Sequence, residues 1–336
     1  MIGCSSFTME TKDKKHFLSR TMDFMMEMAE QVVFVPKNKT FAISYDSKQE
    51  ITSKHSFIGM GSIQRDIDDA PVTCDGINDA GLMGAVLYFP GYASYADKAT
   101  NNAWAVSPDK VISAVLSQAD SLNDIEDLFT KKMVIVNEAS PALKVIPPLH
   151  YIFSDETGAS IIIETQTDGI HVIKDSIGVM TNSPDYHWHE TNLRNYLSVT
   201  TNQHKDIKFL GKTLKPFSQG SGTFGLPGDF TPTSRFIRTA FMKNNAEQPK
   251  DELAGVSLAH HILESVSIPR GIVVTPEDTF DYTCYSAYMC AETRSYYYST
   301  YGNQRIRCVK LTPELEQETE YHEFKVNPTE DIEYMN

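Results

Sequence analysis

No stretch of this sequence approaches the ~18 consecutive apolar residues that a membrane-spanning helix needs, and no apolar leader of the secretory kind opens it. A membrane partner is therefore not expected. Nor is a lipid-anchored Cys4, because an anchored cysteine follows such a leader and only Met1-Ile2-Gly3 stands ahead of it. Basic residues are also in short supply. Lys and Arg number 30 against 44 Asp and Glu, a formal net charge of −14. An acidic chain is repelled by nucleic acid and by anionic membrane surfaces, so no nucleic-acid partner is expected either. Cysteine is scarce: Cys4, Cys74, Cys284, Cys290 and Cys308 are odd in number and show no CxxC spacing. That excludes a disulfide framework and a zinc site, and it fits a reducing, cytoplasmic setting. GxSxG, P-loop and HExxH motifs are absent as well.

What is present starts with size. The chain has 336 residues, 41% of them hydrophobic, enough to bury a large core in one layered fold. Its most informative residue is Cys4. If the Gly3–Cys4 bond were cut, Cys4 would carry a thiol and a free α-amino group together. An α-amino group titrates at about 7.7–8.0 and a thiol near about 8.5, so at neutral pH the amine can take the thiol proton. One residue would then serve as both nucleophile and base.

Residues 5–11 and 16–24 predict two strands around the polar turn Thr11-Lys12-Asp13-Lys14-Lys15. A hairpin folded at Asp13–Lys14 sets Cys4 opposite Asp23, with Ser6, Thr8, Ser19 and Thr21 on the polar face. The same register puts Arg20 on the apolar face with Phe7, Met9, Leu18 and Met22, so a bulge is needed to bring Arg20 to Cys4. Further strands are expected at 32–35, 41–45, 56–61, 81–90, 150–154, 160–164 and 169–173, and in a closing meander over 281–311. Ser107-Pro108 is expected to cap a helix running to about Gln118, and Ser121 to cap a second. Helices are also expected over 188–198, from Thr231-Pro232 with Arg235 in the first turn, and over 252–265. Runs of strands separated by runs of helices predict antiparallel sheets with helices packed outside.

Gly220-Ser-Gly222-Thr-Phe-Gly225 matches GxGxxG in form, but Leu226-Pro227-Gly228 follows where a nucleotide-binding loop needs a helix. His187-Trp188-His189 and His260-His261 lack a carboxylate or cysteine at ligand spacing. No cofactor and no metal are expected. Asn182, in Met180-Thr-Asn-Ser-Pro184, sits where a strand turns, and a side-chain amide held there could donate to a developing oxyanion. Taken alone it is an ordinary turn asparagine.

Taken together these segments resemble the choloylglycine hydrolase family, most closely its penicillin V acylase branch. The shared segments are Cys4-Ser-Ser, Arg20-Thr-Met-Asp23-Phe24, Phe57-Ile-Gly-Met-Gly61, Asp75-Gly-Ile-Asn78, Gly81-Leu, Leu87-Tyr88 and Pro148-Leu-His150. Gly178-Val-Met-Thr-Asn182-Ser-Pro184, Gly225-Leu-Pro-Gly-Asp229-Phe-Thr-Pro232 and Ser234-Arg235-Phe236 follow in order.

The resemblance implies an α+β fold, a four-layer αββα sandwich of two antiparallel sheets, in a single domain over 1–336. It implies an N-terminal-nucleophile amidohydrolase that removes the residues ahead of Cys4 autocatalytically and then cleaves a linear N-acyl amide. Cys4 becomes the nucleophile and its freed amine the base, with Asp23 binding that amine. Arg20 sits by the thiol, Arg235 completes the polar network, and the Tyr88 N–H with the Asn182 side chain forms the oxyanion hole. Tyr88 and the tripeptide before Cys4 point to penicillin V as substrate, with conjugated bile salts as the alternative. An unprocessed relative that only binds N-acyl ligands is the alternative of another class. The resemblance also implies a homotetramer, with an assembly insertion within about 190–222.

Overall fold

The computed structural model describes residues 3–25, 31–100 and 102–336. Met1 and Ile2, which open the segment expected to be removed, lie outside them. β1 (Ser5–Glu10) and β2 (His16–Phe24) form the expected hairpin, but its register differs by one residue. Ser6 opposes Arg20 and Ser5 opposes Thr21. The cause is the turn. Lys14 adopts a left-handed φ of 64°, and Thr11 N–H donates to the Lys15 carbonyl at 2.9 Å. The connection is thus Lys12-Asp13-Lys14, three residues instead of two, closed by a left-handed residue. Because directly opposed residues share a face, Arg20 reaches the Cys4 side of the hairpin with no bulge.

Among the described residues the hairpin lies in a seven-stranded antiparallel sheet. In spatial order its main strands are Val179–Met180, β1, β2, Phe280–Cys290, Ser295–Thr300 and Asn303–Lys310. A second, nine-stranded antiparallel sheet runs Gly169–Ile173, Ser160–Gln166, Leu149–Ser154, Met83–Tyr88, Asp75–Asn78, Phe57–Ile63, Gln31–Val35 and His322–Lys325, with Pro71–Thr73 paired to Phe57–Ile63 beside this path.

Strand composition explains the layering. In Gln31–Val35, Val32 and Phe34 enter one core cluster and Val33 and Val35 another, all fully buried. Ile161, Ile162 and Ile163 divide in the same way. Continuous apolar runs occur here because both faces of the sheet are covered. Each such side chain contributes about 1.5–3 kcal/mol when fully buried. Gly84 lies opposite Phe153, whose ring would come within 2.7 Å of any Cβ at that position.

α1 (Val111–Gln118) covers the outer face of the second sheet through Val111, Ile112, Val115 and Leu116. α2 (Leu122–Asp127) follows it and is capped by Ser121, whose hydroxyl accepts from Asp124 N–H. α3 (Tyr186–Asn192) is capped by Asp185 and continues as a 3-10 turn over Leu193–Tyr196. α4 (Pro232–Asn245) and α5 (Glu252–Glu264) pack on the outer face of the first sheet, α4 on β1 and α5 on β2 and Phe280–Cys290. The result is the four-layer αββα sandwich. Ser107 does not cap α1 as expected. A 3-10 turn over Pro108–Lys110 intervenes, and the Ser107 hydroxyl donates to the buried Glu138 carboxylate, a stronger charged acceptor.

Candidate active site

The site lies at the open end of the β1/β2 hairpin, between the two sheets. Cys4 is buried, and its sulfur is 2.8 Å from Arg20 Nη2. Arg20 is fully buried and every donor group on it is used. Nε donates to the Thr21 carbonyl at 3.0 Å, Nη2 also to the Val86 carbonyl at 3.1 Å, and Nη1 to Asp75 Oδ2 at 2.7 Å. Asp75 stands on the opposite sheet and is equally buried. It accepts from the Tyr285 hydroxyl at 2.6 Å and from the Tyr296 hydroxyl on its other oxygen. Charges this deep persist only when paired and fully hydrogen-bonded, and this pair is.

Arg235, in the first turn of α4, organises the other side. Thr231 caps that helix through its hydroxyl and so fixes where the first turn points. Arg235 Nη1 donates to the Cys4 carbonyl and to the Ser5 hydroxyl, each at 2.7 Å, and Nη2 donates to Asn182 Oδ1 at 2.7 Å. It also lies 3.7 Å from the Asp23 carboxylate. Asp23 accepts from Thr283 at 2.6 Å and from Thr21 at 3.3 Å, and its backbone N–H meets the Cys4 sulfur. Asn182 Nδ2 donates to the Tyr88 carbonyl at 2.8 Å, so the amide of Asn182 and the backbone at 88 are in direct contact. Cys4, Arg20, Asp23, Tyr88, Asn182 and Arg235, the candidates from the sequence, are therefore joined in one network.

His189 has another task than the metal binding its motif raised. Its Nε2 lies 2.8 Å from the Asn182 carbonyl, while its ring stacks on Phe236. His150 likewise holds the Thr181 carbonyl at 2.9 Å. Two buried histidines thus pin the turn that presents Asn182. Among the described residues no group of three His, Cys, Asp or Glu side chains is placed to hold a metal ion.

Electrostatics follow from burial. With residue 3 still attached, burial pushes the Cys4 thiol up, opposed by the Arg20 charge. Burial raises the Asp23 carboxyl and Arg235 pulls it back. Burial works against the charge on Arg20 too, but Cys4, Tyr285 and Asp75 around it hold the guanidinium firmly protonated. His189 is pushed down to about 4 by burial and is neutral at ordinary pH. The site offers a thiol, two fixed cations, a carboxylate and an anchored amide donor. That set suits nucleophilic attack on a carbonyl with stabilisation of the resulting oxyanion.

Asp75, Tyr285, Tyr296, His189 and His150 were not among the site residues expected from the sequence, although Asp75 and His150 lie in segments that carry the family resemblance. A charged residue inside the buried strand Asp75–Asn78 was the available signal for the first of them.

Residues 4–321 match the sequence profile of the linear amide C–N hydrolases, choloylglycine hydrolase family. The chain is 34% identical to a bile salt hydrolase/transferase of Clostridium perfringens, covering 99% of this chain and 100% of the relative. A solved structure of a mutant conjugated bile acid hydrolase from the same species superposes with a TM-score of 0.90 over 99% of this chain and 100% of the other. The penicillin V acylase of Pectobacterium atrosepticum is 28% identical over 59% of this chain and 51% of its own. The sequence expectation of a nearest penicillin V relative is thus displaced towards the bile-salt enzymes. Tyr88 meets Asn182 through its backbone carbonyl, a group any residue supplies, so this contact does not separate the two substrate classes.

Proposed function

This chain belongs to the choloylglycine hydrolase family of linear amide C–N hydrolases, and we propose that within it the protein hydrolyses conjugated bile salts through Cys4. The observation that carries the proposal is the 2.8 Å contact between the Cys4 sulfur and Arg20, beside an Asn182 amide anchored by Arg235. Full-length similarity to bile-salt enzymes supports the substrate class.

Cleavage of the Gly3–Cys4 bond frees the Cys4 amine. That amine takes the thiol proton, and Asp23 holds the ammonium that results. The thiolate, steadied by Arg20, attacks the amide carbonyl. The oxyanion is met by Asn182 Nδ2 and the Tyr88 N–H. The ammonium returns its proton to the leaving amine, and water then releases the acid from the thioester. An amine in place of water would yield acyl transfer, consistent with the hydrolase/transferase names of several relatives.

A second reading keeps penicillin V. The partly exposed Tyr88 offers an aromatic surface suited to a phenoxyacetyl group. Assay of processed enzyme under reducing conditions with glycocholate, taurocholate and penicillin V separates the two. A kcat/KM for bile salts at least tenfold above that for penicillin V supports the first, and the reverse order supports the second. No turnover of any of them favours a ligand-binding relative.

For assembly we propose a homotetramer built through the 190–222 segment. Ile207–Phe209 and Lys212–Leu214 form an exposed hairpin across Leu210-Gly211, and Leu197, Ile207, Phe209, Leu210 and Phe217 are open to solvent. Exposed apolar side chains clustered in this way suit a protein interface. A cytoplasmic location accords with five cysteines of which none is joined in a disulfide among the described residues.

A further inference from the structure

Gly3 is held inside the site it precedes. Its φ is +76°, a left-handed value that disfavours any residue with a side chain. A Cβ at this position would come within 2.6 Å of Asn182 Nδ2 and 3.0 Å of Tyr88 Cβ. A flexible side-chain tip usually gives way to such a contact. The Asn182 amide is pinned at both of its polar atoms, by Arg235 at Oδ1 and by the Tyr88 carbonyl at Nδ2, and His189 holds the backbone carbonyl of the same residue. Tyr88 meets the same point with a Cβ that its sheet strand fixes in place.

We infer that the space beside Cys4 admits only an unbranched carbon next to the carbonyl under attack. The inference rests on the proposed role of Cys4 as an amide-cleaving nucleophile.

It has two consequences. The first concerns self-cleavage. Cys4 Sγ attacks the Gly3 carbonyl carbon, the S–C bond forms, and the C–N bond to Cys4 breaks. The nitrogen takes the thiol proton and becomes the free amine. Water then hydrolyses the thioester, leaving a carboxylate on residue 3 and the thiol on Cys4. Any side chain at residue 3 strains its backbone and displaces the amide that stabilises the oxyanion. Glycine is therefore the specificity-determining residue for processing.

The second consequence concerns substrates. Self-cleavage and substrate cleavage both pass through an acyl group on the same sulfur, beside the same Asn182 and Tyr88. The first carbon of the acyl group then occupies the seat that Gly3 Cα vacates. Substrates should be acyl groups with a CH2 next to the carbonyl, as bile-acid and phenoxyacetyl chains both have. A branch in the position of an L side chain is refused.

The test has two arms. Self-cleavage of the full chain is followed by intact mass for wild type and Gly3→Ala. Mature wild-type enzyme is assayed on a glycine-conjugated bile salt and on the epimer methylated next to its carbonyl, with the methyl in the L side-chain position. Gly3→Ala should slow self-cleavage by about tenfold or more, and the methylated substrate should lose about tenfold or more in kcat/KM, the scale of a strained or clashing residue. A chain begun Met-Cys4, whose single Met is removed by the host's methionine aminopeptidase and not by self-cleavage, should give mature enzyme of wild-type activity, since Gly3 is absent from the product. Self-cleavage of Gly3→Ala within twofold of wild type, or cleavage of the branched substrate within twofold of the unbranched one, overturns the inference. If glycine-dependent self-cleavage persists but no acyl amide is hydrolysed, the inference stands on the first arm and the proposed function fails. If neither reaction occurs, both fail.

Discussion

Arg20 and Asp75 form a fully buried ion pair at 2.7 Å that joins the two sheets of the sandwich directly behind Cys4. Arg20 comes from β2 and Asp75 from the facing sheet, and the Tyr285 and Tyr296 hydroxyls complete the carboxylate. The pair orients the guanidinium that touches the Cys4 sulfur. Its integrity should matter to both stability and rate.

Asp75→Ala leaves the Arg20 charge buried without its partner. Breaking such a pair costs about 3–5 kcal/mol, so denaturant unfolding should show a loss of that size. Asp75→Asn keeps the shape but loosens Arg20, and the alkaline shift of Cys4 alkylation with pH should report it. A variant as stable as wild type, with unchanged thiol titration, would mean that the pair is incidental.

Asn182→Ala removes one of the two proposed oxyanion donors. Loss of such a donor lowers kcat by about 10²–10³. KM should change far less, because the interaction strengthens only as charge develops. Steady-state kinetics on a bile salt checks this, and a kcat within fivefold of wild type counts against Asn182 in that role.

His189 predicts a pH dependence of stability. Burial lowers it to about 4 in the folded protein, against about 6.5 when exposed. Between those values the unfolded chain binds a proton that the folded chain refuses. Stability from this group is therefore complete above about pH 6.5 and falls as pH drops towards 4, by up to about 3 kcal/mol. His189→Gln should flatten that part of the curve relative to wild type in urea unfolding at pH 7, 5.5 and 4.5. Parallel curves for the two proteins would refute the assignment.

Local features were legible in the sequence and distant ones were not. The Ser121 and Thr231 caps, the apolar strands and the β1/β2 hairpin follow from residues close together in the chain. The register slipped by one because nothing in Lys12-Asp13-Lys14 announces that Lys14 turns left-handed. The support behind Arg20 was invisible because Tyr285 and Tyr296 lie 210 and 221 residues from Asp75 and meet it only after both sheets stack. Arg235, Tyr88 and Arg20 entered through the family resemblance. Tyr88 led the sequence reading to penicillin V, whereas the relatives that match over the full chain are bile-salt enzymes.

Deletion of residues 207–214 removes the exposed hairpin without touching the network around Cys4. Light scattering should then report a species smaller than the tetramer expected of the full chain, with activity per subunit reduced or retained. A tetramer that survives the deletion removes this hairpin from the assembly.

The central claim is that Cys4 acts as a freed N-terminal residue. Intact mass of purified, active enzyme tests it most directly. The account predicts a chain that begins at Cys4, with Cys4→Ala remaining unprocessed and inactive. Full activity in a chain shown by mass to retain Gly3 would contradict it.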